Sequence, residues 1–144
     1  MAKHNDLGKW GEEQAALYLQ QKGWYIRHRD WHYGHRDVDI VAIDEDSSIL
    51  LFVEVKTRST ELFGFPAEAI DLEKQNNILR TASAYIRTFR MYHCDVRYDT
   101  ISIIGTPEKG FRIFHTENAF DVLSGFLYRE QQRHRRKKRL GLWN

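Results

Sequence analysis

At 144 residues, the chain has the size of one ordinary domain, able to bury about two-thirds of its unfolded surface. Its 42% hydrophobic and 29% charged content excludes a disordered or fibrous chain, and its lone cysteine, Cys94, excludes an internal disulfide and a cysteine-rich zinc site. The longest apolar run, Ser48-Ile-Leu-Leu-Phe-Val53, is too short to cross a bilayer, and no apolar stretch follows the first residues, so a cytoplasmic protein without membrane contact is expected.

Asn5 or Asp6 can cap a first helix, in which Leu7, Trp10, Gln14, Leu17 and Tyr18 recur at near-helical spacing until Gly23 stops it. Trp24 to Trp31 is aromatic and extended in character, and His32-Tyr-Gly-His35 supplies a turn. Asp37 to Ile43 follows as a strand, Asp44 to Ser48 turns the chain back, and Ile49 to Val55 reads as a central strand covered on both faces. Thr57 to Pro66 is a loop broken by Gly64 and Pro66. A second helix spans about Leu72 to Phe89, with Ile78, Leu79, Ala82, Tyr85, Ile86 and Phe89 on one stripe. Val96 to Ile104 and Phe111 to Phe114 are two more strands, and Asn118 to Leu127 is expected to form a last short helix. The pattern predicts one α/β domain, a mixed sheet of about five strands flanked by helices, over residues 1–128.

Residues 129–139 contain seven bases and one acid, which leaves fifteen bases and nineteen acids, a net charge of −4, on the rest of the chain. The expected tail, residues 129–144, is therefore a basic arm suited to a polyanion, through Arg133, Arg135, Arg136, Lys137 and Lys138. A solvated tail without a partner is the plainer alternative.

The charged residues that interrupt the apolar strands carry the chemistry. Side chains two apart on a strand share a face, roughly 6–7 Å apart along it. Glu54 and Lys56 are thus co-facial, as are Asp37 and Asp39 on the preceding strand, and a short turn makes the two strands antiparallel neighbours. Gathered charge at one end of an apolar sheet is costly unless paired or bound to a metal, and hard oxygen ligands converging on one point suit magnesium. Ordinary cross-strand ion pairs are the alternative.

Asp39, fourteen intervening residues, then Glu54-Val55-Lys56 resembles the core of PD-(D/E)xK nucleases. More closely, the chain resembles the YraN-type family, small bacterial proteins similar to archaeal Holliday junction resolvases. The resemblance runs through Gly11-Glu12, Ala15, Leu19, Gly23 to Ile26, Arg36 to Val41, Phe52 to Arg58, Phe63-Gly-Phe-Pro66, Ala69-Ile70, Lys74 and Arg97-Tyr-Asp99, in order. It implies a restriction-endonuclease-like fold and a Mg2+- or Mn2+-dependent phosphodiesterase acting on DNA, with branched or structured forms as candidate substrates. Asp39, Glu54 and the Val55 carbonyl would hold the metal, Lys56 would orient the water, and Glu12 would reach the metal through water. Lys74 and Arg58 would contact the nucleic-acid backbone. Read without the family, Glu12 and Lys74 are equally a helix-surface acid and base. Arg36 and Asp37 depart from the Gly-Glu that the family has before Ile-Asp.

His28, His32 and His35 read as solvent-facing residues of an aromatic hairpin rather than zinc ligands, with His32, Tyr33 and His35 at its tip expected to touch a nucleic-acid groove, and Cys94 has no convincing partners for catalysis. A non-catalytic nucleic-acid-binding module with the same fold is the main rival function, and a protein-interaction role the second. A two-fold substrate would suit a homodimer.

Overall fold

The apolar run around Phe52 becomes the middle strand of a five-stranded sheet. The computed structural model describes residues 3–60 and 70–142, with side chains from Asp6 onward. The elements in chain order are α1 (Lys3–Gln21), β1 (Tyr25–Tyr33), β2 (Arg36–Ile43), β3 (Ile49–Arg58), α2 (Leu72–Phe89), β4 (Asp95–Thr106), β5 (Gly110–Phe120) and α3 (Leu123–Arg139). The strands lie in sequence order, antiparallel throughout except that β3 and β4 run parallel. A parallel neighbour needs a crossover, and α2 lies within it. The mixed sheet and the order helix, three strands, helix, two strands agree with expectation.

Both faces of the sheet are covered, which explains why β3 shows no polar alternation over its first half. On one face, Ala15, Ala16 and Leu19 of α1 pack with Ile40, Ala42, Leu51, Val53, Ile101 and Ile103. On the other, Ile78, Leu79, Ala82 and Tyr85 of α2 pack with Val38, Val41, Leu50 and Phe52. Tyr85 is the hub of the second core: its ring meets Phe52, Trp31 and Phe89 with centroids 5.7, 5.0 and 4.5 Å away. Asp71 caps α2 by accepting the Lys74 N–H at 2.8 Å, and Arg90 ends it in the left-handed conformation.

The C-terminal part differs from expectation. Strand β5 runs on to Phe120, because the Asn118 N–H donates to the buried Asp99 carboxylate at 2.9 Å and holds that segment against the sheet. The last helix therefore begins only after Asp121, whose Oδ1 accepts the Leu123 N–H at 2.9 Å. It then runs to Arg139, so the basic stretch is helical rather than frayed. Gly125 seats α3 on α2: a Cβ there would come within 3.4 Å of Asn76 Oδ1 and Leu79 Cδ1. Gly64, Pro66, Phe63, Phe65 and Ala69, named from the sequence, lie outside the described residues.

Asp99 has no exposed surface, and its charge is fully engaged. Arg97 donates to both its oxygens at 3.0 and 2.8 Å, and His115 Nε2 lies 2.7 Å away. With the His115 proton on Nε2, the Tyr18 hydroxyl donates to Nδ1 at 3.1 Å, which ties α1 to β4 and β5. Burial alone would push the Asp99 carboxyl up, but these donors outweigh it and hold it below its ordinary 3.8. Its stabilising effect is therefore present above pH 3.8 and lost as pH falls through the depressed value. Asp99→Asn should cost about 1–3 kcal/mol, since it removes the buried charged acceptor that Arg97, His115 and the Asn118 N–H share. Urea denaturation at several pH values checks this, and the variant should also show a flatter acid limb.

Candidate active site

The ladder between β2 and β3 ends at the pair Ile40–Val53. Beyond it, Asp39 fills the gap with its side chain: the Val55 N–H donates to Asp39 Oδ2 at 2.7 Å, in place of a β2 carbonyl. On the other side of β2, Asp30 stands at φ 52°, a local irregularity in β1 opposite the same point. The split leaves Asp39 touching both faces of the sheet. Burial raises its carboxyl above the ordinary 3.8, against the lowering effect of the Val55 hydrogen bond.

Glu54 lies on the α2 face of β3 with its side chain only 13% exposed. Lys74 Nζ from α2 sits 3.3 Å from Glu54 Oε1. The other oxygen, Oε2, is buried with no hydrogen-bond partner among the described residues. Burial and the neighbouring Asp39 charge push the Glu54 carboxyl up to about 8, and Lys74 only partly offsets them. Lys74 itself remains a cation: burial would lower it, but Glu54 raises it further. Lys74, expected at a phosphate, thus sits against the Glu54 carboxyl in this state.

Glu12 approaches from the opposite face, on α1. It can do so because residue 11 is glycine: a Cβ there would collide with Thr57 Oγ1. Burial and Asp39 raise the Glu12 carboxyl above its ordinary 4.5, while Arg29, 3.6 Å away, lowers it. Glu12, Asp39, Val55 and Thr57 line one pocket of about 230 Å³ with Leu7 and Gly8. Asp39 links this pocket to Glu54 on the other face; the donors are hard oxygen, and a carboxylate oxygen that is buried and, among the described residues, unpartnered beside a second acid is what a divalent cation would complete. These residues therefore fit a magnesium or manganese ion.

Lys56 follows Glu54 on the same face, half-exposed, and forms no ion pair among the described residues. Arg58, at the end of β3, is likewise half-exposed. Arg133, Arg135, Arg136, Lys137 and Lys138 lie apart from the acidic pocket, along α3. Arg135 lines a separate groove with Asp71, Glu73 and Tyr128, and Arg133 pairs with Glu130 at 3.2 Å.

The three histidines do not converge. His28 is not solvent-facing: its Nδ1 is 2.7 Å from Tyr85 Oη, and its ring packs on Phe89, because the bulge in β1 turns it toward α2. His32 instead meets Asp30 at 3.2 Å, with Asp37 close by. Arg29 is the residue here that the sequence does not single out, whereas Gly11 is already part of the motif resemblance and gains its physical reason from Thr57.

Residues 11–103 match the family described as "Uncharacterised protein family UPF0102". The chain belongs to this family. It is the YraN-type family of the motif resemblance. A UPF0102 protein of Bacteroides thetaiotaomicron is 50% identical over 121 residues, covering 83% of this chain and 96% of that one. A UPF0102 protein of Porphyromonas gingivalis is 42% identical over 143 residues, covering 97% and 100%. The crystal structure of a repair endonuclease from Pyrococcus abyssi is similar over 66% of this chain and 38% of that chain, with 20% identity and a TM-score of 0.41. No helix among the described residues is long and apolar enough to cross a membrane.

The raised Glu54 pKa has a sign that stability can report. A carboxyl at about 8 in the fold and 4.5 unfolded stabilises fully below pH 4.5 and loses that effect as pH rises through about 8. In chelator, wild-type melting temperature should fall between these limits more steeply than that of Glu54→Gln. Parallel melting curves across that range would refute the assignment.

Proposed function

We propose that this protein is a divalent-metal-dependent nuclease that hydrolyses phosphodiester bonds in DNA, with branched or structured DNA as the substrate class. The observation that carries the reading is the meeting of Asp39 and Glu54 where β2 leaves β3, with Glu54 Oε2 buried and, among the described residues, without a hydrogen-bond partner. Asp39, Glu54 and the Val55 carbonyl would hold one Mg2+ or Mn2+ ion. The ion, when bound, supplies Lewis-acid stabilisation of charge on the phosphoryl oxygens. Lys56 orients the attacking water and steadies the negative charge growing on the phosphate. Glu12 holds a water at the pocket's α1 wall. Lys74 keeps Glu54 in place and lends positive charge to the strand path.

Calorimetry with manganese should give one binding event that Asp39→Asn and Glu54→Gln each weaken strongly. Purified protein should cut at least one of single-stranded, duplex, flap or four-way DNA, and Lys56→Ala should lower that rate by about 10² or more while leaving DNA affinity largely intact. If nothing is cut by the wild type with either metal, the protein is better read as a binding module.

The basic run of α3 contributes affinity without sequence preference, since phosphate contacts position but do not specify. Joint replacement of Arg133, Arg135, Arg136, Lys137 and Lys138 by glutamine should weaken binding to all DNA sequences alike. The slope of log affinity against log salt should flatten by up to about 0.9 per lost contact on duplex. Fluorescence anisotropy over a salt series measures it, and an unaltered slope would assign α3 another role.

A further inference from the structure

A second groove lies on the α2 side of the β1–β2 hairpin, outside the acidic pocket. Tyr33, Arg36, Arg80, Ser83 and Arg87 line it, around a volume of about 460 Å³. Arg80, Ser83 and Arg87 follow one another at helical spacing and form one stripe of α2. Arg36 is oriented by donating from Nε to Asn77 Oδ1 at 3.2 Å. No acid lines the groove, and among the described residues Arg36, Arg80 and Arg87 form no ion pair. The hairpin's acids, Asp30 and Asp37, gather around His32 instead.

Tyr33 is 48% exposed, whereas Trp31, two residues earlier on the same strand, is packed against Tyr85 at 5.0 Å. The packed Trp31 and the tight turn at Gly34, φ 63°, hold the Tyr33 backbone firmly while its ring stays open. Three arginines repelling one another beside an open aromatic ring call for a ligand with several negative charges and a flat face. A nucleic-acid strand has both, and only unpaired bases are free to stack on a side chain.

We infer that this groove binds an unpaired DNA strand, with a base stacked on Tyr33 and phosphates held by Arg36, Arg80 and Arg87. At 1.5 Å per residue, Arg80 lies about 9 Å beyond Lys74 along α2, so a strand in the groove is led toward Glu54. The role as a substrate path rests on the nuclease reading, but the binding itself does not.

Anisotropy with a fluorescein-labelled oligodeoxythymidylate of about 12 nucleotides, in chelator so that nothing is cut, tests it. Tyr33→Ala should weaken binding about tenfold and Tyr33→Phe should restore it. The Arg80→Gln, Arg87→Gln double variant should flatten the salt slope by about 1.4, from about 0.7 per contact on a single strand. A duplex of the same length should be insensitive to Tyr33→Ala. Absence of strand binding by the wild type, full affinity in Tyr33→Ala, or an unchanged slope in the double variant overturns the groove. Cleavage assays on the same proteins separate the two readings. Losses at Tyr33 and the arginines without any cleavage by the wild type keep the groove and discard the nuclease, and cleavage with undiminished binding does the reverse.

Discussion

The Asp39 carboxylate accepting the Val55 N–H is the contact around which the rest of the site is arranged. A strand normally satisfies its edge groups with the backbone of its neighbour. Here one side chain takes over that duty at the point where β2 and β3 part. The substitution keeps Val55 satisfied and places an acid within the opening. Because that opening pierces the sheet, groups from both faces reach it: Glu12 from α1 on one side, Glu54 and Lys74 on the other.

The surrounding structure supports that opening. Gly11 permits α1 to lie close to Thr57, so Glu12 is brought to the pocket by backbone proximity rather than by a long reach. Lys74 is held early in α2 by the Asp71 cap and offsets part of the Glu54 charge. The network of Arg97, Asp99, His115 and Tyr18 ties β4 to β5 and α1 on the strand next to β3, at the level where β2 and β3 part.

Most of the frame was legible because its periodicities are strong. The apolar run of β3, the stripe of α2 and the turn at Gly34 each express one dominant local rule. The charges Asp39, Glu54 and Lys56 stood out because they break such a run. What sequence could not show depended on contacts between distant residues. The Asn118 N–H stays in β5 because of Asp99, so the helix expected there starts at Leu123. His28 turns inward because of a bulge that no residue type announces. The groove of Tyr33 with Arg80 and Arg87 joins a hairpin tip to a helix flank, and no linear spacing connects them.

The parallel pairing of β3 with β4 has a consequence for the newborn chain. Every residue of the acidic pocket precedes α2, yet the far edge of β3 is covered only when Asp95 to Thr106 arrives. Until then Ile49–Val53 presents an open edge of apolar, strand-forming residues, the kind of segment that recruits a copy of itself. Glu54, Lys56 and Arg58 punctuate that segment with charge, as gatekeeper residues do beside unavoidable hydrophobic strands. The same side chains that equip the site thus also shield an unfinished protein from clumping, and neutralising all three should lower soluble yield even where the completed fold tolerates it.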